Sequence, residues 1–377
     1  MVGRVAVVGG GIAGLATALA LRQRGADVAV YERAPALREV GAGISVWPNA
    51  SRALSSLGVL DAVAGSAGRA ESVQILRSDG RELARFLTAR PDAPSLCVRR
   101  PDLLAALADA LGPGVVRLGA EVTAVHQRPG SVVLEMADGA EEPAELVVGA
   151  DGLRSRVREA LIGSVRPTYR GYAVWRAVGP AAGWPAADAC EVWGRGARFG
   201  MFPVGGGEAY WYVCASGRPR ASEAGDPSGG GATPHGEALA VVEGWHPAIS
   251  ETVGATPPDA VARHDVYDRP VRGRRVAGRV ALVGDAAHGM TPDLGQGGAQ
   301  GLVDAVRLAD ALDRGRDVPA ALARFEREQV RRTAPVALQS RFAGWVGQLD
   351  GAPARLRDAA TAAAPSSWFG AAFTAAF

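Results

Sequence analysis

Glycines near the amino terminus occur at the spacing that a bound dinucleotide requires. The run Gly9–Gly14 is a GxGxxG fingerprint, and Glu32 follows 18 residues after its last glycine. The first glycine permits a tight turn, the second lets the backbone approach a pyrophosphate, and the third lets a helix pack closely on a strand. Free N–H groups at the helix start attract phosphate, and Glu32 can bind a ribose diol. The pattern predicts a dinucleotide site without distinguishing NAD from FAD.

Two further motifs have the composition of cofactor loops. Gly149-Ala-Asp151-Gly152 lies where a strand ends and a helix begins. Its aspartate could bind a cofactor or only cap the helix, and the residues leave both readings open. The segment 284–298 contains Gly284-Asp285, Pro292 and several glycines before a predicted helix. Such a loop can place backbone N–H groups beside a flat polar ring and stabilise negative charge on it.

The elements around these motifs predict an α/β fold. Strands over 4–8 and 27–32 enclose a helix that starts at Ile12, which makes a β-α-β unit. We also predict a helix over 45–60 and another buried strand over 279–285. From 168 to 215 the chain is rich in aromatic residues and alternates like a separate antiparallel sheet. The glycine-rich segment 217–236 is predicted to be a surface loop.

Composition excludes several classes of protein. The 377 residues are 48% hydrophobic and 21% charged, which is typical of a compact protein of two or three domains. A net charge of +2 argues against a nucleic-acid partner. The chain contains no lysine, and Cys97, Cys190 and Cys214 lack metal or disulfide spacing. The apolar run 5–21 fits a strand and helix better than a membrane span. We therefore expect a cytoplasmic protein without a metal site.

The three motifs, in this order, resemble those of the class A FAD-dependent monooxygenases, the para-hydroxybenzoate hydroxylase-like flavoproteins, up to about residue 345. The resemblance implies an interrupted Rossmann-like FAD-binding domain and an interleaved antiparallel-sheet substrate domain, followed by C-terminal helices. We assign the FAD-binding domain to 1–70, 98–165 and 268–345. The substrate domain takes 71–97 and 166–267, and a helical tail takes 346–377.

The resemblance also implies the FAD contacts. Arg100 matches a flavin-contacting arginine, Val122 an adenine-side contact and Asp285 the ligand of the ribityl chain. Asp151 is associated in this family with both FAD and the NAD(P)H pyrophosphate. The complete set is Gly9, Gly11, Ile12, Ala13, Gly14, Glu32, Arg33, Ser45, Arg100, Val122, Asp151, Gly284, Asp285, Pro292, Gly295, Gln296, Gly297, Gly298 and Ala299.

The segments 43–49, 196–203 and 291–298 are similar to those of the bacterial FAD-dependent urate hydroxylases. That similarity implies that Arg198 clamps a substrate anion and that Tyr210 hydrogen-bonds to the substrate, and we add Asp293 as a candidate for tuning substrate ionisation. The residues alone allow a surface arginine and a buried aromatic instead. Ala299 and Val303 stand where relatives often carry a polar or acidic residue, so the resemblance does not determine the identity of the substrate.

The reaction implied by the resemblance uses NADH or NADPH to reduce FAD. O2 then forms a C4a-hydroperoxyflavin, which hydroxylates an aromatic or heteroaromatic small molecule. We expect a monomer or a homodimer. The alternatives are epoxidation or Baeyer–Villiger oxygen insertion, urate hydroxylation, and a non-catalytic flavin-binding protein. A flavin-dependent halogenase is disfavoured because the chain has neither lysine nor a WxWxIP motif.

Two further expectations concern single groups of residues. His288 lies inside the third motif, and we expect it to pack or hydrogen-bond near the ribityl chain rather than act as a base. The arginines between 272 and 279 are expected to form a solvated turn, although they could also attract an anionic nicotinamide cofactor.

Overall fold

The structure is a computed structural model that describes residues 3–37, 42–88, 90–182, 189–220, 233–271, 273–315 and 317–374. Its strands are β1 (Arg4–Val8), β2 (Asp27–Glu32), β3 (Gly43–Val46), β4 (Gly68–Arg69), β5 (Ser72–Arg77), β6 (Glu82–Leu87), β7 (Leu96–Arg99), β8 (Val116–Leu118), β9 (Val122–Arg128), β10 (Ser131–Met136), β11 (Glu141–Ala144), β12 (Leu146–Gly149), β13 (Thr168–Pro180), β14 (Ala189–Trp193), β15 (Ala197–Gly205), β16 (Glu208–Ser216), β17 (Ala262–Asp268), β18 (Val276–Ala277) and β19 (Val280–Leu282).

The helices are α1 (Ile12–Arg22), α2 (Pro48–Ser56), α3 (Leu60–Ala64), α4 (Arg100–Leu111), α5 (Arg156–Ile162), α6 (Pro234–Val241), α7 (Pro247–Gly254), α8 (Asp285–His288), α9 (Gly297–Arg314), α10 (Val318–Gly347), α11 (Gly351–Ala363) and α12 (Ser366–Thr374). Short 3-10 turns occur at Pro258–Ala260 and Pro292–Leu294. No helix in the described ranges combines the length and apolar composition needed to cross a membrane.

A six-stranded sheet has the order β18-β19-β12-β1-β2-β8. The strands β19, β12, β1, β2 and β8 pair in parallel, and only β18 is antiparallel. The central strands are continuous apolar runs, as expected for strands that are buried on both faces. Helices including α1 and α9 cover one face, and the three-stranded sheet β11-β10-β9 packs against the other. Each of the three sequence motifs follows one of three neighbouring strands, namely β1, β12 and β19. The motifs therefore meet at the carboxyl edge of one sheet.

A seven-stranded sheet has the order β17-β13-β16-β15-β14-β5-β6, antiparallel except for the β14–β5 pair. One face buries Trp175 and Trp211 against the helices α6 and α7. The opposite face carries Tyr172, Tyr210 and Tyr212, because successive side chains of a strand alternate between faces. The predicted fold class is thus confirmed: a Rossmann-like parallel sheet, a mainly antiparallel sheet and C-terminal helices.

Three local predictions need correction. Residues 45–60 are not one helix: Ser45 and Val46 belong to β3 and pair with β7, and α2 begins only at Pro48, which fits the first turn of a helix. The predicted loop 217–236 lies mostly outside the described residues, and α6 begins within it at Pro234. The arginine segment is not wholly solvated, because Arg275 is buried and hydrogen-bonds to Thr333.

The long helix α10 joins the two sheets. Its Arg341 contacts Asp268 at the end of β17, and Arg170 of β13 contacts the same carboxylate with an Nε–Oδ1 distance of 2.6 Å. Asp268 is buried, so its charge depends on these two arginines for compensation.

Asp268→Asn should therefore lower the free energy of unfolding by about 3 kcal/mol, because it leaves two guanidinium groups without their buried anion. The shift of the urea denaturation midpoint measures this change. The control is Asp92→Asn, which removes an exposed pair with Arg52 and should cost only about 0–1 kcal/mol. Equal shifts for the two variants would contradict the role of Asp268.

Candidate cofactor and substrate site

The first glycine motif forms the tight turn that its sequence predicts. Gly9 has a φ of 106°, a region that favours glycine, and its N–H donates to the carbonyl of Tyr31 at 2.8 Å. A Cβ on Gly14 would overlap the carbonyl oxygen of Gly9. Gly11 is the N-cap of α1, and Ile12 and Ala13 form its first turn. The unpaired N–H groups of this turn create an anion site.

Glu32 ends β2 beside this turn. Its Oε2 accepts from the N–H of Gly10 at 2.6 Å, and its Oε1 accepts from the N–H of Ala34 at 2.8 Å. These bonds hold the carboxylate at the glycine turn, where the sequence predicts the ribose. The neighbouring Arg33 is exposed.

The third motif contacts the first. Gly284 follows β19 with a φ of 57°, and a Cβ there would lie 2.8 Å from the Cβ of Ala13. Asp285 begins α8 with an exposed side chain, and its Oδ1 lies 3.6 Å from the position that a Cβ on Gly297 would take. The start of α1, the turn before α8 and the start of α9 therefore surround one space.

The glycine loop before α9 packs against β3 and the residue after it. A Cβ on Gly295 would lie 2.9 Å from Trp47 Nε1 and 3.6 Å from the Cβ of Ser45. A Cβ on Gly298 would lie 2.6 Å from Ile44. Pro292 is exposed, whereas Gln296 and Ala299 are buried. The structure thus brings Ser45 to the loop 295–299, as a shared role in holding a flavin ring requires.

Gln296 provides a direct test of whether a flavin fits here. Its Oε1 accepts from Asn49 Nδ2 and from Gln300 Nε2, both at 3.0 Å. Its Nε2 is buried and has no hydrogen-bond partner among the described residues. A buried donor of this kind is costly unless it is satisfied. An acceptor on the isoalloxazine ring of FAD would satisfy it, so the residues present fit the cofactor.

The remaining predicted cofactor residues come from three separate elements. Asp151 follows β12 and accepts from Ser155 Oγ at 2.5 Å and from the N–H of Arg156 at 2.7 Å, so it does cap α5. Burial raises the pKa of this carboxyl group. Arg100 begins α4, and Val122 begins β9 in a cluster with Tyr31.

Arg198, predicted to clamp a substrate anion, and Asp293, predicted to tune substrate ionisation, are in direct contact. Arg198 is buried on β15, and its Nη2 forms an ion pair with Asp293 Oδ1 while its Nη1 lies 3.0 Å from Glu191 Oε1. The Tyr172 hydroxyl lies 2.8 Å from both oxygens of Asp293. Burial alone would lower the pKa of Arg198, but Asp293 and Glu191 hold it well above its usual value.

Tyr210 lies on the same sheet face, in an aromatic cluster. Its ring centroid is 6.4 Å from that of Phe202 and 5.9 Å from that of Tyr212. A Cβ on Gly43 would lie 2.5 Å from the Cβ of Tyr210, so this side chain abuts β3. Burial raises the pKa of Tyr210 to about 12, which leaves the hydroxyl a donor at neutral pH. The cluster contacts Arg198 through Tyr212, whose ring lies 5.9 Å from the guanidinium carbon.

A cavity of about 150 Å³, called the basic cavity for the four arginines that line it together with Glu159, lies between α5 and the end of β17. Arg154, Arg158, Arg166 and Arg269 line it. The guanidinium of Arg158 donates to the carbonyls of Ala286 and Ala287, and that of Arg269 donates to the carbonyls of Leu153 and Val165. Burial, followed by the charges of Arg269 and Arg275, lowers the pKa of Arg158 to about 10.

No sequence motif indicates several residues of the site. Strand alternation could have placed Tyr172 and Tyr212 on one face, but it could not show that Glu191 and Asp293 would be their partners. His288 was expected to pack near the ribityl chain; its Nε2 lies 2.7 Å from Asp304 of α9, a buried carboxylate that no motif indicated.

Gly14→Ala should abolish copurification of FAD, because the added methyl group would overlap the Gly9 carbonyl and open the turn. The ratio of flavin to protein absorbance measures this. Gly254→Ala is the matched control, since a Cβ there meets nothing within 4 Å. A Gly14→Ala protein with the full flavin content would contradict the proposed turn.

Comparisons with known proteins agree with this geometry. The family model described as "FAD binding domain" matches residues 3–337. Aurachin C monooxygenase/isomerase of Stigmatella aurantiaca is 39% identical and covers 92% of this chain and 90% of its own length. The 3-amino-4-hydroxybenzoate 2-monooxygenase PtmB3 of Streptomyces platensis is 37% identical, and the match covers 94% of this chain and 91% of that protein.

Solved structures give the same result. Klebsiella pneumoniae HpxO in complex with FAD and uric acid has a TM-score of 0.89 and 27% identity, and the match covers 99% of this chain and 96% of that one. Because the family model spans most of the sequence and both curated relatives exceed 30% identity, this chain belongs to the FAD binding domain family and is an FAD-dependent monooxygenase.

Proposed function

We propose that this enzyme uses NADH or NADPH, with O2, to hydroxylate an aromatic or heteroaromatic small molecule. The observation that carries the proposal is the Arg198–Asp293 ion pair, which joins the loop before α9 to the aromatic face of the seven-stranded sheet. A substrate ring that lies beside this ion pair would meet both the cofactor loop and the polar side chains of the sheet. Bound FAD supplies the activation of O2 for oxygen transfer to such a ring.

The three motifs are proposed to hold FAD at the carboxyl edge of the parallel sheet. The first turn of α1 receives the pyrophosphate, Glu32 the adenosine ribose and Asp285 the ribityl chain. Gln296 Nε2 donates to the ring. The N–H groups of Gly297 and Gly298 at the start of α9 stabilise negative charge there, because a helix amino terminus carries partial positive charge.

The sheet face is proposed to orient the substrate and exclude water. Phe202 and Trp47, with ring centroids 6.1 Å apart, provide apolar walls beside Tyr210. The Tyr210 hydroxyl is a donor for a substrate oxygen. Arg198 already binds two carboxylates through its terminal nitrogens, and its buried Nε has no partner among the described residues. Arg198 therefore acts as one unit with Asp293, and its Nε faces Gly347 of α10.

Urate hydroxylation is a second candidate. The match to HpxO with uric acid has a TM-score of 0.89 and extends over nearly the whole chain. The arrangement of Arg198 and Tyr210 also fits a small polar heterocycle. The higher sequence identity to a 3-amino-4-hydroxybenzoate monooxygenase favours a carbocyclic ring instead.

We also propose the division of the chain into two interleaved domains. The strands of the six-stranded sheet come from 4–32, 116–149 and 276–282, inside the segments assigned to FAD binding. Those of the seven-stranded sheet come from 72–87 and 168–268, inside the segments assigned to the substrate domain except for Asp268, the last residue of β17. The cytoplasm is the proposed compartment, since the three cysteines are buried and free of disulfides.

The test of the function is NADH and NADPH oxidation by the FAD-loaded enzyme with urate, 3-amino-4-hydroxybenzoate, 6-hydroxynicotinate and simple phenols. We expect one class of ring to stimulate oxidation about tenfold or more, with product formed in place of peroxide, because productive transfer consumes the activated oxygen. Stimulation by urate alone would select the second candidate. Oxidation that yields only peroxide with every ring would contradict hydroxylation of these substrates.

The basic cavity is the proposed site for the NAD(P)H pyrophosphate. Replacing both Arg154 and Arg166 with alanine should raise the KM for NAD(P)H about tenfold with kcat little changed, since two charges that bind phosphate are lost. Initial rates at increasing NAD(P)H measure this. Arg195→Ala removes an exposed arginine outside the cavity and serves as the control. An unchanged KM in the double variant would place the cofactor elsewhere.

A further inference from the structure

Asp304 of α9 is a fully buried carboxylate that lies next to the turn before α8. Its Oδ2 accepts from the N–H of Gly284 at 3.0 Å, from His288 Nε2 at 2.7 Å and from Gln329 Nε2 at 2.7 Å. Its Oδ1 accepts from Arg332 of α10. Buried carboxylates are rare without such compensation, and here four donors satisfy one carboxylate.

The electrostatics keep this carboxylate ionised. Burial alone would raise the pKa of Asp304, but the neighbouring His288 and Arg332 and the bonds from His288 and Gly284 hold it far below its usual range. The acceptor is therefore an anion across the physiological pH range, and its hydrogen bonds are of the stronger, charge-assisted kind.

A second set of hydrogen bonds connects this cluster to the loop 295–299, which we call the flavin loop. Arg332 Nη1 also donates to Gln300 Oε1, and Gln300 Nε2 donates to Gln296 Oε1 at 3.0 Å. These contacts fix the orientation of the Gln296 amide, because its oxygen is held by Gln300 and Asn49 and its Nε2 must point away from them. The branch therefore ends at the buried donor that has no partner among the described residues.

We propose that Asp304 is a positioning residue for FAD, which acts on the cofactor through two groups. It holds the N–H of Gly284, so that the turn keeps its left-handed backbone and presents Asp285 at the start of α8. Through Arg332 and Gln300 it also orients Gln296 Nε2 toward the ring. Asp304 itself touches neither cofactor nor substrate in this arrangement.

The experiment compares Asp304→Asn with the wild type, using apoprotein titrated with FAD and followed by flavin fluorescence. The amide keeps the size of the side chain but loses the charge and places an NH2 group against existing donors. The Kd for FAD should rise about ten- to hundredfold. The absorption spectrum and reduction potential of the bound flavin should shift as well, because the hydrogen bond from Gln296 changes.

Arg332→Met separates the two branches. It removes the link to Gln300 but leaves Gly284 and His288 on the Asp304 carboxylate. We expect a shift of the flavin spectrum and potential together with a smaller rise in Kd, about three- to tenfold. The Arg332 side chain is about one-quarter exposed, so this variant is expected to fold even if Asp304→Asn does not.

Asp268→Asn is the matched control. Asp268 is also a buried carboxylate with two arginine partners, one of them on α10, but these partners, Arg170 of β13 and Arg341, lie outside the three motifs. It should lower the melting temperature without changing the FAD Kd or the flavin spectrum. The proposal is overturned if Asp304→Asn loses stability like Asp268→Asn and yet binds FAD with the wild-type Kd, spectrum and reduction potential. If Asp304→Asn does not fold, the same result for Arg332→Met overturns it.

Discussion

The parallel pairing of β1, β12 and β19 is the constraint on which the rest of the site depends. Parallel neighbours end at the same edge of a sheet, so three motifs that are far apart in sequence must meet there. Direct contact follows: the start of α1 packs on the turn at Gly284 closely enough that a side chain on that glycine would meet Ala13. The cofactor residues are thus assembled by strand order, and the glycines at the turns allow the close approach.

The second sheet is tied to this edge by a buried ion pair. Removing Arg198 and Asp293 from water is costly, and the attraction between them offsets that cost only because Glu191 and Tyr172 satisfy further hydrogen-bonding groups. The same arrangement determines what the site can offer a substrate. Two carboxylates flank one guanidinium, so the pair presents acceptors as well as a donor, which differs from the single cationic clamp that the sequence suggested.

The sequence indicates the local geometry of the cofactor motifs, but it does not indicate the partners of the substrate-facing side chains. GxGxxG, Glu32 and the glycine loop are local patterns whose spacing indicates their geometry. The structure places Gly284 against Ala13 and Asp285 near Gly297. The partners of Arg198 could not be predicted, because Glu191 and Asp293 come from separate elements and meet only through tertiary packing. Asp304 was missed for the same reason: an aspartate in a helix is usually solvated, and only α9 packing on α10 shows that this one is buried.

Helix α10 contacts both Asp304 and the ion pair of Arg198 with Asp293. Near its middle Arg332 and Gln329 hold Asp304 behind the flavin loop, and one turn from its end Gly344 lies so close to Asp293 that a Cβ would overlap the carboxylate. Gly347 likewise faces Arg198, at 2.9 Å from the position of a Cβ to the Arg198 Cδ. One helix therefore contacts both groups, and its internal Pro335, which lacks a backbone N–H, lies between the two contact points. The cofactor loop and the substrate-facing ion pair thus share one supporting element outside both sheets.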